Sequence, residues 1–240
     1  MKKAFDWEYS LTKEEEYWIN NKKRVSSQEW LEIVRQHAEW FLDWYKEYRS
    51  INEDSRILGI GQGPLGEINF IGKGDRIAID PLTFFYRSHF SDLMNKDVNY
   101  LNGRGEDLPF RDNSFDLVIS FNSLDHFEDP TKALSEISRV LKRSGIFYLG
   151  IHVRSEYGHL IFEVVKKFRK ITDHYYSYTS ESINREVGSL LKIVDEKGET
   201  ELEKYTARVV VSNRPTIKDF LIFTVLGQRK HYLHLLAEKT

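Results

Sequence analysis

Arg56-Ile57-Leu58-Gly59-Ile60-Gly61-Gln62-Gly63-Pro64-Leu65-Gly66 is the stretch whose reading decides the fold. Residues 56–60 are apolar, short and bounded by glycine, which predicts a buried strand. Gly61 and Gly63 then let the backbone approach a ligand that any side chain would block, although glycine turns after strands are also ordinary structural features. A second apolar run, Ile77-Ala78-Ile79, ends in Asp80 about 20 residues beyond the glycines, where an acid accepts both hydroxyls of a ribose. Because Pro81 follows, Asp80 also reads as a turn or cap residue.

Outward from this pair the pattern alternates. Arg76–Ile79, Phe115–Phe121 and Ile146–Ile151 read as further strands. Between the last two lies a helix with Asp129 as N-cap and Pro130 as its first residue. Leu134, Ile137 and Leu141 supply its inward face and Gly145 its stop. Such alternation predicts an α/β fold, a mostly parallel sheet with helices on both faces. Upstream, Thr12 with Glu15 and Ser26 with Glu29 form two candidate capping boxes. After the second, Trp30, Val34, His37, Phe41, Trp44 and Tyr48 form an aromatic stripe at helical spacing, widened by Ile33 and Tyr45. This helix either packs on the sheet or serves as a lid over an apolar or ring-bearing ligand. Downstream, Leu160–Phe168 and Ser182–Leu191 read as helices. Lys192–Asp195, Arg208–Ser212 and Phe220–Leu226 read as strands, the last two suited to an antiparallel edge.

Composition bounds the function. In 240 residues, Lys plus Arg (35) nearly balance Asp plus Glu (37), a net charge of −2, so no global basic field draws in nucleic acid. The cluster Lys166, Lys167, Arg169 and Lys170 reads as a solvated helix face. Without cysteine there is no disulfide framework, thiolate zinc site or cysteine nucleophile. No apolar run approaches a membrane span, and the polar start is not a signal peptide, which together predict a cytoplasmic protein. One domain over residues 1–240 is expected: a helical extension or lid (1–50), a cofactor-binding core (51–150) and a C-terminal part completing the sheet and the substrate region (151–240).

A dinucleotide dehydrogenase would share the glycine turn and Asp80, so residues 103–149 have to discriminate. The runs LPFRDNSFDLVIS (108–120), DHFEDP (125–130) and LSEISRVLKRSGIFYL (134–149), in this order, resemble the class I S-adenosylmethionine-dependent methyltransferases of the type 11 family. The resemblance covers roughly residues 56–150 and implies a Rossmann-like sheet of seven strands with the last antiparallel. It implies that Gly61, Gln62 and Gly63 line the methionine part of S-adenosylmethionine and that Asp80 holds the ribose. Pro81 and Leu82 would lie beside the adenine, Gly105, Glu106 and Asp107 would border it, and Asn122 would face the site of transfer. The chain departs from the family at Gly59 and at Arg104, where the family has acidic residues, the first helping to organise the cofactor's amino group. Glu67 and Glu106 are the acids available to compensate.

Transfer from a sulfonium requires alignment of the acceptor, and a base only where the acceptor must lose a proton. His126 and His152 follow strand ends on the ligand-binding rim and are candidate bases, or else hydrogen-bonded structural histidines. His152, His159 and His174 do not have the spacing of a compact metal site. Tyr175, Tyr176 and Tyr178 either border the pocket or lie in a loop. The expected function is methyl transfer to oxygen on a small molecule or sugar. A non-catalytic regulatory or partner subunit, suggested by Gly59 and Arg104, and a nicotinamide oxidoreductase are the alternatives. Nucleic-acid and membrane partners are disfavoured.

Overall fold

The computed structural model describes residues 6–168, 175–198 and 231–240. Helices α1 (Trp7–Val25) and α2 (Gln28–Lys46) precede β1 (Arg56–Ile60), a 3-10 turn (Glu67–Phe70) and β2 (Asp75–Asp80). Then come α3 (Thr83–His89), β3 (Asn99–Asn102), β4 (Phe115–Phe121), a 3-10 turn (Leu124–His126), α4 (Pro130–Val140) and β5 (Leu141–Val153). The described chain ends with α5 (Glu156–Phe168), α6 (Ser180–Gly188), β6 (Lys192–Gly198) and β7 (His231–Glu238).

Seven strands form one sheet in the order β3-β2-β1-β4-β5-β7-β6. The pairs β2–β3, β1–β2, β1–β4 and β4–β5 are parallel, while β7 runs antiparallel to both β5 and β6. Strand order therefore reverses between β1 and β4. A crevice opens beyond the carboxyl ends of strands at such a reversal.

The period-two alternation of strands sorts the core into two layers. Leu58, Ile60, Val118, Phe147 and Leu149 face α4 and α6, which supply Leu134, Ile137, Ile183 and Val187. Ile57, Ala78, Leu117, Ile119 and Tyr148 face the other side, against Phe41, Trp44 and Tyr45 of α2 and Ile68. Phe41 stacks on Tyr148 with ring centroids 4.0 Å apart, both fully buried. Trp44 Nε1 and Tyr48 Oη both donate to Asp195 Oδ2, at 2.7 and 2.8 Å, fixing the end of α2 to β6.

Several local expectations are corrected. The N-cap of α1 is Asp6, whose carboxylate accepts from Tyr9 N; Thr12 lies inside the helix and donates to Glu8 O. Ser27, extended at ψ 147°, rather than Ser26, caps α2, because Ser26 is already spent closing α1. Asp129 does cap α4, but Gly145 is not its stop: the helix ends at Val140, the left-handed residue is Ser144, and Gly145 lies in β5. The antiparallel strand beside β5 is His231–Glu238, a segment the sequence reading passed over, and residues 208–212 and 220–226 lie outside the described chain. Neither α3 nor β3 was anticipated. Among the described residues no helix is long and apolar enough to cross a membrane.

Candidate cofactor and acceptor site

A cavity of about 680 Å3 lies at the strand-order reversal, within the size range of small-molecule sites. Its floor is the turn after β1. Gly61 and Gly63 sit at φ +63° and +58°, the left-handed region that glycine enters without strain. A Cβ on Gly61 would also come within 2.5 Å of Ser123 Cβ, so this turn is packed tightly against the one after β4. Ser123 Oγ ties the two by donating to Ile60 O at 3.2 Å.

Asp80, at the end of β2, is buried and organises the same turn. Its Oδ2 accepts from Gly63 N at 3.1 Å and its Oδ1 from Leu82 N at 2.9 Å. Burial raises its pKa from 3.8 to about 6, against the opposing pull of those two amides. Asp80 is thus a turn-holding residue in the free chain, and its carboxylate retains acceptor capacity for further donors. Pro81 and Leu82 continue the wall.

The opposite wall comes from the β3–β4 connection and from α1. Glu106 Oε1 accepts from Glu128 N at 2.8 Å and Asp129 N at 3.3 Å, closing the loop before α4. Gly105 is packed against Phe127. Arg104 pairs with Glu128, and its guanidinium lies 4.3 Å from the centre of the Trp7 ring, so it clamps α1 over the cavity. Asp107 does not line the cavity, whereas every other residue expected to bind cofactor does.

Phe121, Asn122, His126, His152 and Tyr232 complete the lining. Asn122 takes φ +51° and donates its backbone N–H to Gly150 O at 2.8 Å. His126 Nε2 stands 4.0 Å from Asp125 Oδ1, and the ring of His152 lies 3.8 Å from that of Tyr232. Both candidate bases therefore share the cavity with the glycine turn. The first part of the α2 stripe (Trp30, Ile33, Val34 and His37) lines the cavity, while Phe41, Trp44 and Tyr45 are core, so the packing reading holds for the second half of the helix. Tyr175, Tyr176 and Tyr178 do not line it, and Tyr176 Oη instead donates to Glu128 O. His159 meets Ser177 Oγ at 3.3 Å, His174 lies outside the described chain, and no metal-binding cluster occurs among the described residues.

Trp7, Trp18 and Tyr232 are lining residues that sequence reasoning did not place there, and Glu67, expected only as an acid able to compensate for Gly59, joins them. The isolated acid at 67 in the run Leu65–Ile71 was the one available signal. Among the described residues, five buried atoms of lining residues have no hydrogen-bond partner: Arg24 Nε, Gln62 Nε2, Arg104 Nε, Glu106 Oε2 and Asn122 Oδ1. Such orphans are what a polar ligand satisfies. With the Asp80 carboxylate and the glycine turn, they fit an adenosyl cofactor with an amino-acid tail.

Comparison with known proteins agrees. Residues 78–149 match the family model described as a methyltransferase domain. An uncharacterized protein of Methanocaldococcus jannaschii is 32% identical over 146 residues, 58% of this chain and 71% of its own length. The ubiquinone/menaquinone biosynthesis C-methyltransferase UbiE of Psychromonas ingrahamii is 31% identical over 139 residues, 57% of this chain and 47% of its own. The chain spans between 24% and 71% of the first curated relatives it matches. In fold, it is similar to a putative methyltransferase of Haloferax volcanii solved in complex with a methyltransferase activator. The TM-score is 0.63 at 16% identity, with 98% of each chain covered. By its motifs, its sheet and these relatives, the chain belongs to the class I S-adenosylmethionine-dependent methyltransferases.

Proposed function

We propose that this chain transfers a methyl group from S-adenosylmethionine to a hydroxyl of a small molecule or sugar. The observation that carries this reading is the shared cavity, lined by the glycine turn and Asp80 together with His126 and His152. The bound sulfonium would supply an already activated methyl group, leaving the protein to align the acceptor and exclude water. Asp80 accepts from ribose hydroxyls, and the Gly61–Gly63 turn passes beneath the methionine part. Phe121, Tyr232 and the first half of α2 form the wall against which a ring-bearing acceptor stacks. An imidazole, His126 or His152, takes the hydroxyl proton as the oxygen attacks.

The test is calorimetric binding of S-adenosylmethionine and S-adenosylhomocysteine, with NAD as control, followed by transfer of labelled methyl to panels of hydroxyl, amine and carbon acceptors. Binding of the adenosyl compounds alone, with label passing to hydroxyl acceptors and lost in His126→Ala or His152→Ala, is expected. Label passing only to amines or carbon would overturn the oxygen assignment. Tight binding with no transfer to any panel would favour a partner subunit.

A further inference from the structure

Two buried polar groups, Gln62 and Glu67, line the cavity beside the glycine turn. Glu67 opens the 3-10 turn after β1, is 3% exposed, and lines the cavity. Its one hydrogen-bond partner among the described residues is His37 of α2, whose Nδ1 lies 3.2 Å from Oε1. A buried carboxylate with a single partner is incompletely compensated, because it has acceptor sites for several donors. Gln62, 6% exposed, folds back over Gly59, where any Cβ would come within 2.5 Å of Gln62 Cγ. Its Oε1 accepts from Ile68 N at 3.4 Å, which orients the amide, and Nε2 is left with two unused donors. An acceptor carboxyl and an unused amide donor thus stand five residues apart in the chain, both lining the cavity with the Gly61–Gly63 turn.

That combination is complementary to a zwitterionic α-amino acid group. Resting on the assignment of this cavity to S-adenosylmethionine, we propose that Glu67, braced by His37, binds the ammonium of the cofactor's methionine part, and that Gln62 Nε2 donates to its carboxylate. Glu67 therefore does here what an acid at position 59 would do, and Gln62 occupies the space that acid would need. Of the other buried carboxylates of the wall, Asp80 accepts from the amides of Gly63 and Leu82 and is assigned here to the ribose, and Glu106 Oε1 accepts from those of Glu128 and Asp129 while its Oε2 has no partner among the described residues.

The experiment is calorimetric titration with three ligands. S-adenosylhomocysteine carries both charged groups, its decarboxylated analogue only the ammonium, and 5′-methylthioadenosine neither. Glu67→Gln is expected to weaken the first two by about tenfold to a hundredfold, the range for a hydrogen bond to a charged group, and to leave 5′-methylthioadenosine unchanged. Gln62→Leu is expected to weaken S-adenosylhomocysteine alone. With the unmodified protein, N-acetylation of S-adenosylhomocysteine is expected to cost a similar factor, a measurement independent of any variant's folding. Equal weakening of all three ligands by Glu67→Gln, or no weakening of any, would overturn the assignment and leave Glu67 with His37 as a structural or acceptor-side pair. If 5′-methylthioadenosine binds as tightly as S-adenosylhomocysteine, the inference fails while the adenosyl site stands. If no adenosyl compound binds, both fall.

Discussion

Lowering the pH should weaken adenosyl binding through one group, Asp80. Its carboxyl titrates at about 6 because burial raises it from 3.8, with the amides of Leu82 and Gly63 pulling the other way. Ribose hydroxyls are donors, so the ligand selects the ionised form. With a free-chain pKa near 6, about a tenth of the molecules carry ionised Asp80 at pH 5 and nearly all do at pH 7.5. The dissociation constant should then rise about tenfold between those values, about 1.4 kcal/mol. 5′-Methylthioadenosine is the suitable probe, since it has the ribose without a titrating amine. His37, His126 and His152 line the same cavity, so the Asp80→Asn variant serves as the control that isolates Asp80. Tyr86 of α3 does not interfere, because burial holds its phenol well above 10. The wild type should lose affinity on acidification and the variant should be weak and flat. Equal slopes in the two proteins would refute the assignment. The linked effect on folding has the opposite sense: with the folded pKa raised, the contribution of Asp80 to stability is fully present below pH 3.8 and is lost as pH rises through about 6.

Two substitutions test the packing of the turn. Gly61→Ala places a Cβ 2.5 Å from Ser123 Cβ at φ +63°, and strain plus overpacking should cost about 2–4 kcal/mol; a loss below about 0.5 kcal/mol in urea unfolding would contradict this packing. Gly59→Ala should cost about 1–3 kcal/mol through its clash with Gln62 and be largely rescued by adding Gln62→Ala; additive costs in the double-mutant cycle would show that Gln62 is not the obstacle.

The parts of the fold that the sequence displayed are those where local signals and burial coincide. Residues 57–60, 76–79 and 117–120 are buried, so these stretches are mainly apolar with few polar interruptions, and each of the three strands appears within one residue of its expected bounds. Strand β7 escaped because its histidines broke the apolar run. Yet His234 is fully buried, meeting Tyr148 Oη at 2.9 Å, a partner supplied by a strand 86 residues away. Strand β3 was invisible for a similar reason, since Asn99 and Asn102 enclose only two apolar residues at a sheet edge. In the site, the glycine turn and Asp80 were readable because chain geometry fixes their spacing. Glu67 and His37 stand 30 residues apart and meet only through the packing of α2 on the turn after β1. Asp107 stands outside the cavity lining although its neighbour Glu106 is buried in the wall, because the chain turns there, with Asp107 N donating to Arg104 O at 3.3 Å.

Helix α2 shows how one sequence pattern serves two ends. Its stripe is continuous in the sequence, yet half of it is core and half is cavity wall. The C-terminal half is fixed by Phe41 on Tyr148 and by Trp44 on Asp195, and the N-terminal half continues along the cavity. His37 stands where the two halves meet, with its ring 4.4 Å from that of Phe121 and its Nδ1 on Glu67. A residue at that position transmits the packing of the core to the cavity, so truncations in the buried half of α2 act on the site by moving His37 rather than by touching any ligand.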